Sequence, residues 1–187
     1  MIKGDTSVFA IESEITRAFE RLSFRGSGFF VIHVAGRSYG IRAPGQSMLA
    51  CSLDTVLTRI NKRGLHQAPF SDAAATEIAD AYTSAVYLDT SGNEIYFGMS
   101  GARFTEAINF GSLVWAPDGD EAFDDGSYVL QFDVGNQVRL IAFRRLDRRV
   151  DPASVREAWL LSDIFYNILR EWSEAFIAES KLLPKHD

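Results

Sequence analysis

The sequence predicts an α+β fold, a mostly antiparallel sheet with covering helices and a long C-terminal helix. Three observations carry this. Two apolar runs, SYVLQF and QVRLIAF, flank DVGN between residues 127 and 143, which is a hairpin signature. Residues 7–15, SVFAIESEI, alternate: Phe9, Ile11 and Ile15 fall on one side, Ala10, Glu12 and Glu14 on the other. Beyond Asp151, large apolar residues recur at helical spacing as far as Phe176.

The remaining elements follow in chain order. Residues 16–23 fit either a strand or a helix, because Ile15, Ala18, Phe19 and Leu22 also have helical spacing. FFVIHV at 29–34 is apolar on both faces and reads as a covered strand, and SYGIR reads as its hairpin return. Ser52 is placed to cap a helix over 53–63, with Lys62 and Arg63 in its last turn and Gly64 closing it. A second helix is expected after Ser71, with Asp72 in its first turn and Ala74, Ile78, Tyr82 and Val86 every fourth residue. NEIYFG at 93–98 and SLVWA at 112–116 read as short strands. Asp151 is expected to cap a helix of about 27 residues, about 40 Å long, with Pro152 in its first turn. Val155, Trp159, Tyr166, Leu169, Trp172 and Phe176 would share one face of it, and Pro184 would follow its end.

A length of 187 residues suits one domain over 1–187, and a hydrophobic fraction of 47% supplies a core without staples. The single cysteine, Cys51, excludes an intrachain disulfide and a multi-cysteine metal cage. Set among apolar residues, it reads as a core residue. No apolar run reaches membrane-span length, and the opening MIKGDTSVFAIESE lacks the form of a signal peptide, so a cytoplasmic protein is expected.

The net charge is −6, and its distribution is informative. DGDEAFDDG at 118–126 holds five carboxylates: Asp118, Asp120, Glu121, Asp124 and Asp125. Without them the chain is within one charge of neutral. A local acidic field steers a basic partner and disfavours nucleic acid. A calcium loop would need a ligand at position five and glycine at position six, where Ala122 and Phe123 stand, so no metal is expected there. The plain reading is a solvated loop partly neutralised by RRLDRR at 144–149. The sharper one is a docking surface with Phe123 as its apolar anchor.

Catalytic patterns are missing from the sequence. It contains no nucleophile elbow, no Walker loop and no glycine-rich dinucleotide fingerprint. His33, His66 and His186 lack neighbours at metal-ligand spacing, and no cofactor is implied. His33 reads as a hydrogen-bonded sheet residue. Glu12 and Glu14 share a strand face and offer an alternative, a carboxylate-dependent enzyme. A secretion-system adaptor is a third reading.

The opening segment narrows these choices. Gly4-Asp5, followed after three residues by Phe9-Ala10-Ile11, resembles the start of the immunity protein 42 family of bacterial polymorphic toxin systems, with Thr6 where that pattern has proline. GFFVIHVAGRSYG is similar to the family's second segment, with a turn at Gly36 and the pair Tyr39-Gly40. The resemblance implies a small intracellular protein that binds and neutralises one cognate toxin and carries no catalytic residue. The acidic loop would then face a basic cleft on that toxin.

Overall fold

The computed structural model describes residues 1–19, 26–88, 94–115 and 121–186. The chain begins with β1 (Ile2–Asp5), β2 (Phe9–Phe19), β3 (Gly26–Val34), β4 (Arg37–Tyr39) and β5 (Ser47–Met48). Two helices follow, α1 (Leu49–Asn61) and α2 (Ala75–Tyr87), and then the small hairpin β6 (Ile95–Tyr96) and β7 (Met99–Ser100) leads into α3 (Gly101–Phe110). A single 3-10 turn at Glu121–Phe123 precedes β8 (Ser127–Val134), β9 (Gln137–Leu146) and β10 (Arg149–Val150). A second such turn at Pro152–Ser154 leads into β11 (Arg156–Leu161), α4 (Ser162–Leu182) and β12 (Lys185–His186).

The first sheet runs β1-β2-β3-β4, all antiparallel, with β5 added to β3 and β12 pairing β2 in parallel. A bulge between Ile15 and Arg17 lets β2 stay in register with β3 as far as Ala18 opposite Gly26. The ambiguous stretch after Ile15 is therefore strand up to Phe19. The second sheet centres on β9, with β8 on one side and β11 on the other.

The second sheet is buried on both faces, and this organises the molecule. Val129, Val138, Leu140 and Ala142 point into a core shared with Phe9, Ile11, Phe30 and Ile32 of the first sheet, Val56 of α1, and Phe165, Leu169, Trp172 and Phe176 of α4. Tyr128, Leu130, Phe132, Ile141 and Phe143 point the other way, into a second core closed by Ile78 and Tyr82 of α2 and Phe104 and Ile108 of α3. The antiparallel sheets, covering helices and long C-terminal helix make the fold α+β.

Several elements depart from expectation. The Asp151 side chain accepts from Ala153 N, but it caps only the short turn at Pro152–Ser154. Residues 156–161 then pair with β9 as a strand, so Val155 and Trp159 never join the helical stripe, and α4 is 21 residues long, about 32 Å. Helix α1 starts four residues early, at Leu49, with Ser52 buried inside it and no side-chain cap. Helix α2 starts at Ala75, beyond Asp72, with Glu77 as the acid of its first turn. Of SLVWA, Ala116 lies outside the described residues and 112–115 contribute an isolated bridge, Val114 to Leu130, while α3 has no counterpart in the sequence reading. Cys51 is exposed on α1.

Candidate interaction surface

The acidic segment is built on a buried base. Asp118 and Asp120 lie outside the described residues. Glu121 and Asp124 are exposed, and among the described residues neither is in an ion pair. Between them, Ala122 and Phe123 are buried. The Phe123 ring meets Phe30 edge-on, with centroids 6.1 Å apart, so the expectation of an exposed aromatic anchor is corrected. An apolar side chain beside the first sheet gains more from the core than from water. The backbone is tied as well: Ile41 N donates to Ala122 O at 2.8 Å, and Gln46 Nε2 donates to Glu121 O. Gly40 makes this approach feasible. Its φ is +109°, and a Cβ there would lie 3.0 Å from Ala122 O and 2.9 Å from Phe30 O.

Asp125 is the member that is neutralised. Its carboxylate lies 3.2 Å from Arg144 and accepts from Ser127 N at 3.1 Å. Arg144 also donates to Ser38 O, and its backbone N donates to Ser154 Oγ. The expected neutralisation by the 144–149 run thus holds for this one pair. Beside it, the fully buried Tyr39 donates to Ser154 O at 2.5 Å, and burial pushes its pKa up to about 12. This bond ties the first sheet to the turn that leads into β11 of the second.

The outer face of the first sheet carries Glu12, His33 and Arg42. Glu12 is 5% exposed and bonds both His33, at 2.9 Å, and Arg42, whose guanidinium also lies over Phe29. His33 is a hydrogen-bonded sheet residue, as its sequence setting suggests, and burial lowers its pKa. Glu14 is exposed. The two glutamates therefore differ in their surroundings, one held by Arg42 and the His33 ring and the other in water. They do not form the acid–base pair of the enzyme alternative. Among the described residues no group of His, Cys, Asp or Glu is arranged to hold a metal ion.

Sequence reasoning missed a second polar region, inside the first core. Gln131 and Asp133 sit on the same face of β8 as Val129, with Gln131 fully buried. Tyr166 of α4 donates to Asp133 at 2.9 Å, and Gly64 N donates to the other carboxylate oxygen at 2.7 Å. Arg59 of α1, 3% exposed, donates to Gln131 Oε1 at 3.0 Å and to Val114 O at 2.6 Å, and it stacks 4.9 Å from the Trp115 ring. Burial pulls the Arg59 pKa down to about 9, against the nearby Tyr166 and Asp133, and burial together with Asp133 raises that of Tyr166. His66 bonds Gly111 O at 2.9 Å, and burial, then Arg59, lowers its pKa. The available signal was periodic: two polar residues at alternate positions of a strand whose neighbours on that face are apolar.

The sequence profile of the immunity protein 42 family matches residues 1–175. Among solved structures, the crystal structure of CdiI from Burkholderia dolosa AUO158 superposes with a TM-score of 0.58 at 14% identity, covering 94% of this chain and 99% of that one. At that identity the likeness establishes the fold alone. No curated protein sequence matches the chain.

Proposed function

This chain belongs to the immunity protein 42 family, and from that premise we propose that it protects a bacterial cell by binding one cognate toxin domain and covering its active site or an adjacent surface. It is a non-enzymatic toxin inhibitor, and the family match over 1–175 is the observation that carries this. Stoichiometric protection requires slow dissociation, which a few well-packed contacts supply.

We assign the first encounter to the acidic segment, Asp118, Asp120, Glu121, Asp124 and Asp125, acting on a basic cleft of the toxin. The exposure of Glu121 and Asp124 supports this, as does the anchoring of the backbone between them by Phe123. Glu121 and Asp124, on this fixed base, steer a partner without the entropy cost of ordering their part of the segment. Phe123 holds the segment from below and is not itself the anchor. The chain acts as one domain in the bacterial cytoplasm. Among the described residues no helix is long and apolar enough to cross a membrane, and the family role needs none.

Co-expression with the toxic domain encoded beside this chain tests the reading. Growth is expected to be restored, with a one-to-one complex on a sizing column. Persistent growth arrest and no complex would refute it.

A further inference from the structure

Within the immunity reading, the geometry points to a second contact: a cleft beside α1 that receives a neutral hydrogen-bonding side chain of the toxin, a hydroxyl or a carboxamide. The cleft has a volume of about 240 Å³, and Asp54, Thr55, Thr58, Arg59, His66 and Ser112 are among the residues that line it. That is small for a metabolite site, typically ~300 to 1,000 Å³, and suits a single side chain.

Two of the lining residues have unmet hydrogen-bonding capacity. Arg59 and His66 are 3% and 1% exposed, yet Arg59 Nε and His66 Nε2 have no partner among the described residues. Buried groups of this kind cost free energy until something satisfies them. Their needs are opposite. Arg59 Nε–H is a donor and requires an acceptor. His66 Nδ1 faces Gly111 O at 2.9 Å, a carbonyl that only accepts, so Nδ1 carries the proton. In the neutral ring Nε2 is then a lone pair that requires a donor. The Ser112 carbonyl also acts on this ring, but it is an acceptor and cannot satisfy that lone pair. Burial and the adjacent Arg59 hold the ring neutral.

These needs select the chemistry of the occupant. A carboxylate would satisfy Arg59 but set oxygen lone pairs against His66. An ammonium would satisfy His66 but, having no lone pair, would leave Arg59 Nε–H without an acceptor even with Asp54 in the lining. A group that both accepts and donates satisfies both. The surroundings select a protein as its source. Leu65 and Phe110, the chain neighbours of His66 and Gly111, are 65% and 92% exposed. Exposed apolar side chains this near in sequence to the lining residues His66 and Ser112 fit a surface that a protein partner covers.

The test uses the full chain labelled with 15N-histidine, observing the ring nitrogens, with His66 identified by its loss in His66→Asn. On adding the cognate toxin domain, the His66 Nε2 resonance is expected to move to the position of a hydrogen-bonded acceptor. His66→Asn keeps a donor for Gly111 O through Nδ2 and has no atom at the Nε2 position. It is expected to weaken toxin binding about ten-fold in a chain that still unfolds cooperatively. Acetamide alone, without toxin, should shift Nε2, while acetate and methylammonium should not. A complex that forms while Nε2 stays still and His66→Asn binds like wild type overturns the cleft and leaves the immunity reading standing. So does an Nε2 already hydrogen-bonded in the free protein, as a resident water would make it, and unmoved by toxin. An equal shift with acetate overturns the neutral class. No complex at all overturns both readings. If His66→Asn fails to fold, Phe110→Ala carries the binding measurement, because that residue is 92% exposed. Faster dissociation supports the cleft, and unchanged dissociation with a stationary Nε2 overturns it.

Discussion

Two polar regions of this molecule hold their charges under opposite conditions. Around Asp133 the side chains are buried and their bonds run inward, to Tyr166, Gln131 and the backbone at Gly64. At 121–125 the backbone and the apolar side chains are buried, while Glu121 and Asp124 face water. In the first region charge specifies how α1, β8 and α4 fit together. In the second, the fit is made by Phe123 and Ala122, and the charge remains available to another molecule. The contrast shows that a carboxylate's role follows from what its neighbours bury.

Four measurements would break or sharpen this contrast. Arg59→Ala should cost the most, about 3–5 kcal/mol, because it leaves Gln131 and Val114 O without a donor inside the core. Urea denaturation would show it, and a loss below about 1 kcal/mol would mean the network does not hold the elements together. Phe123→Ala should cost roughly 3 kcal/mol, the lower end for a buried ring at a core margin. Had the ring been an exposed anchor, the unfolding midpoint would stay put and only toxin dissociation would change.

The third measurement is pH dependence. The His66 pKa lies below its ordinary value of 6.5 in the folded chain. Above 6.5 the ring is neutral in folded and unfolded chains alike, and its contribution to stability is complete. As pH falls below 6.5 the unfolded chain takes up the proton first, so stability drops until the folded value is reached. His66→Asn should flatten this drop as the pH falls below 6.5, read from urea midpoints. An identical slope in the variant would remove His66 from the account. The smallest stability effect belongs to the acidic surface. Glu121→Gln with Asp124→Asn should shift stability by less than about 0.5 kcal/mol. The pair should nevertheless slow association with the toxin and flatten its salt dependence in stopped flow. Unchanged rates at two salt concentrations would leave the segment as solvated surface.

What could be read from the sequence divides along similar lines. The β8–β9 hairpin was legible because its turn chemistry and both apolar runs are local. Tyr166, Leu169, Trp172 and Phe176 were legible as one buried helical face. Residues 156–161 were not, because REAWLL satisfies both periods. Ala158 and Leu160 point inward and Glu157, Trp159 and Leu161 outward only because β9 offers an edge to pair with. Phe123 shows the same limit, since a lone aromatic in an acidic run reveals nothing of the Phe30 ring waiting beneath it. Arg59 and His66 look like surface residues in the chain, and only the approach of β8 and the segment at 111–114 encloses them.

The sheet that serves both cores also sets an order of events. Strands β8 and β9 are joined by a two-residue turn, so their pairing needs almost no loop closure, whereas Phe9 must find Phe165 across most of the chain. Each core borrows one face of this hairpin, and neither can condense before it exists. The hairpin is therefore the natural folding nucleus. Changes at Val129 or Ile141 should act on the rate of folding, and changes at Phe176 chiefly on the rate of unfolding. A chain emerging from the ribosome has its nucleus only after residue 146, so an immunity protein of this design becomes protective late in its own synthesis.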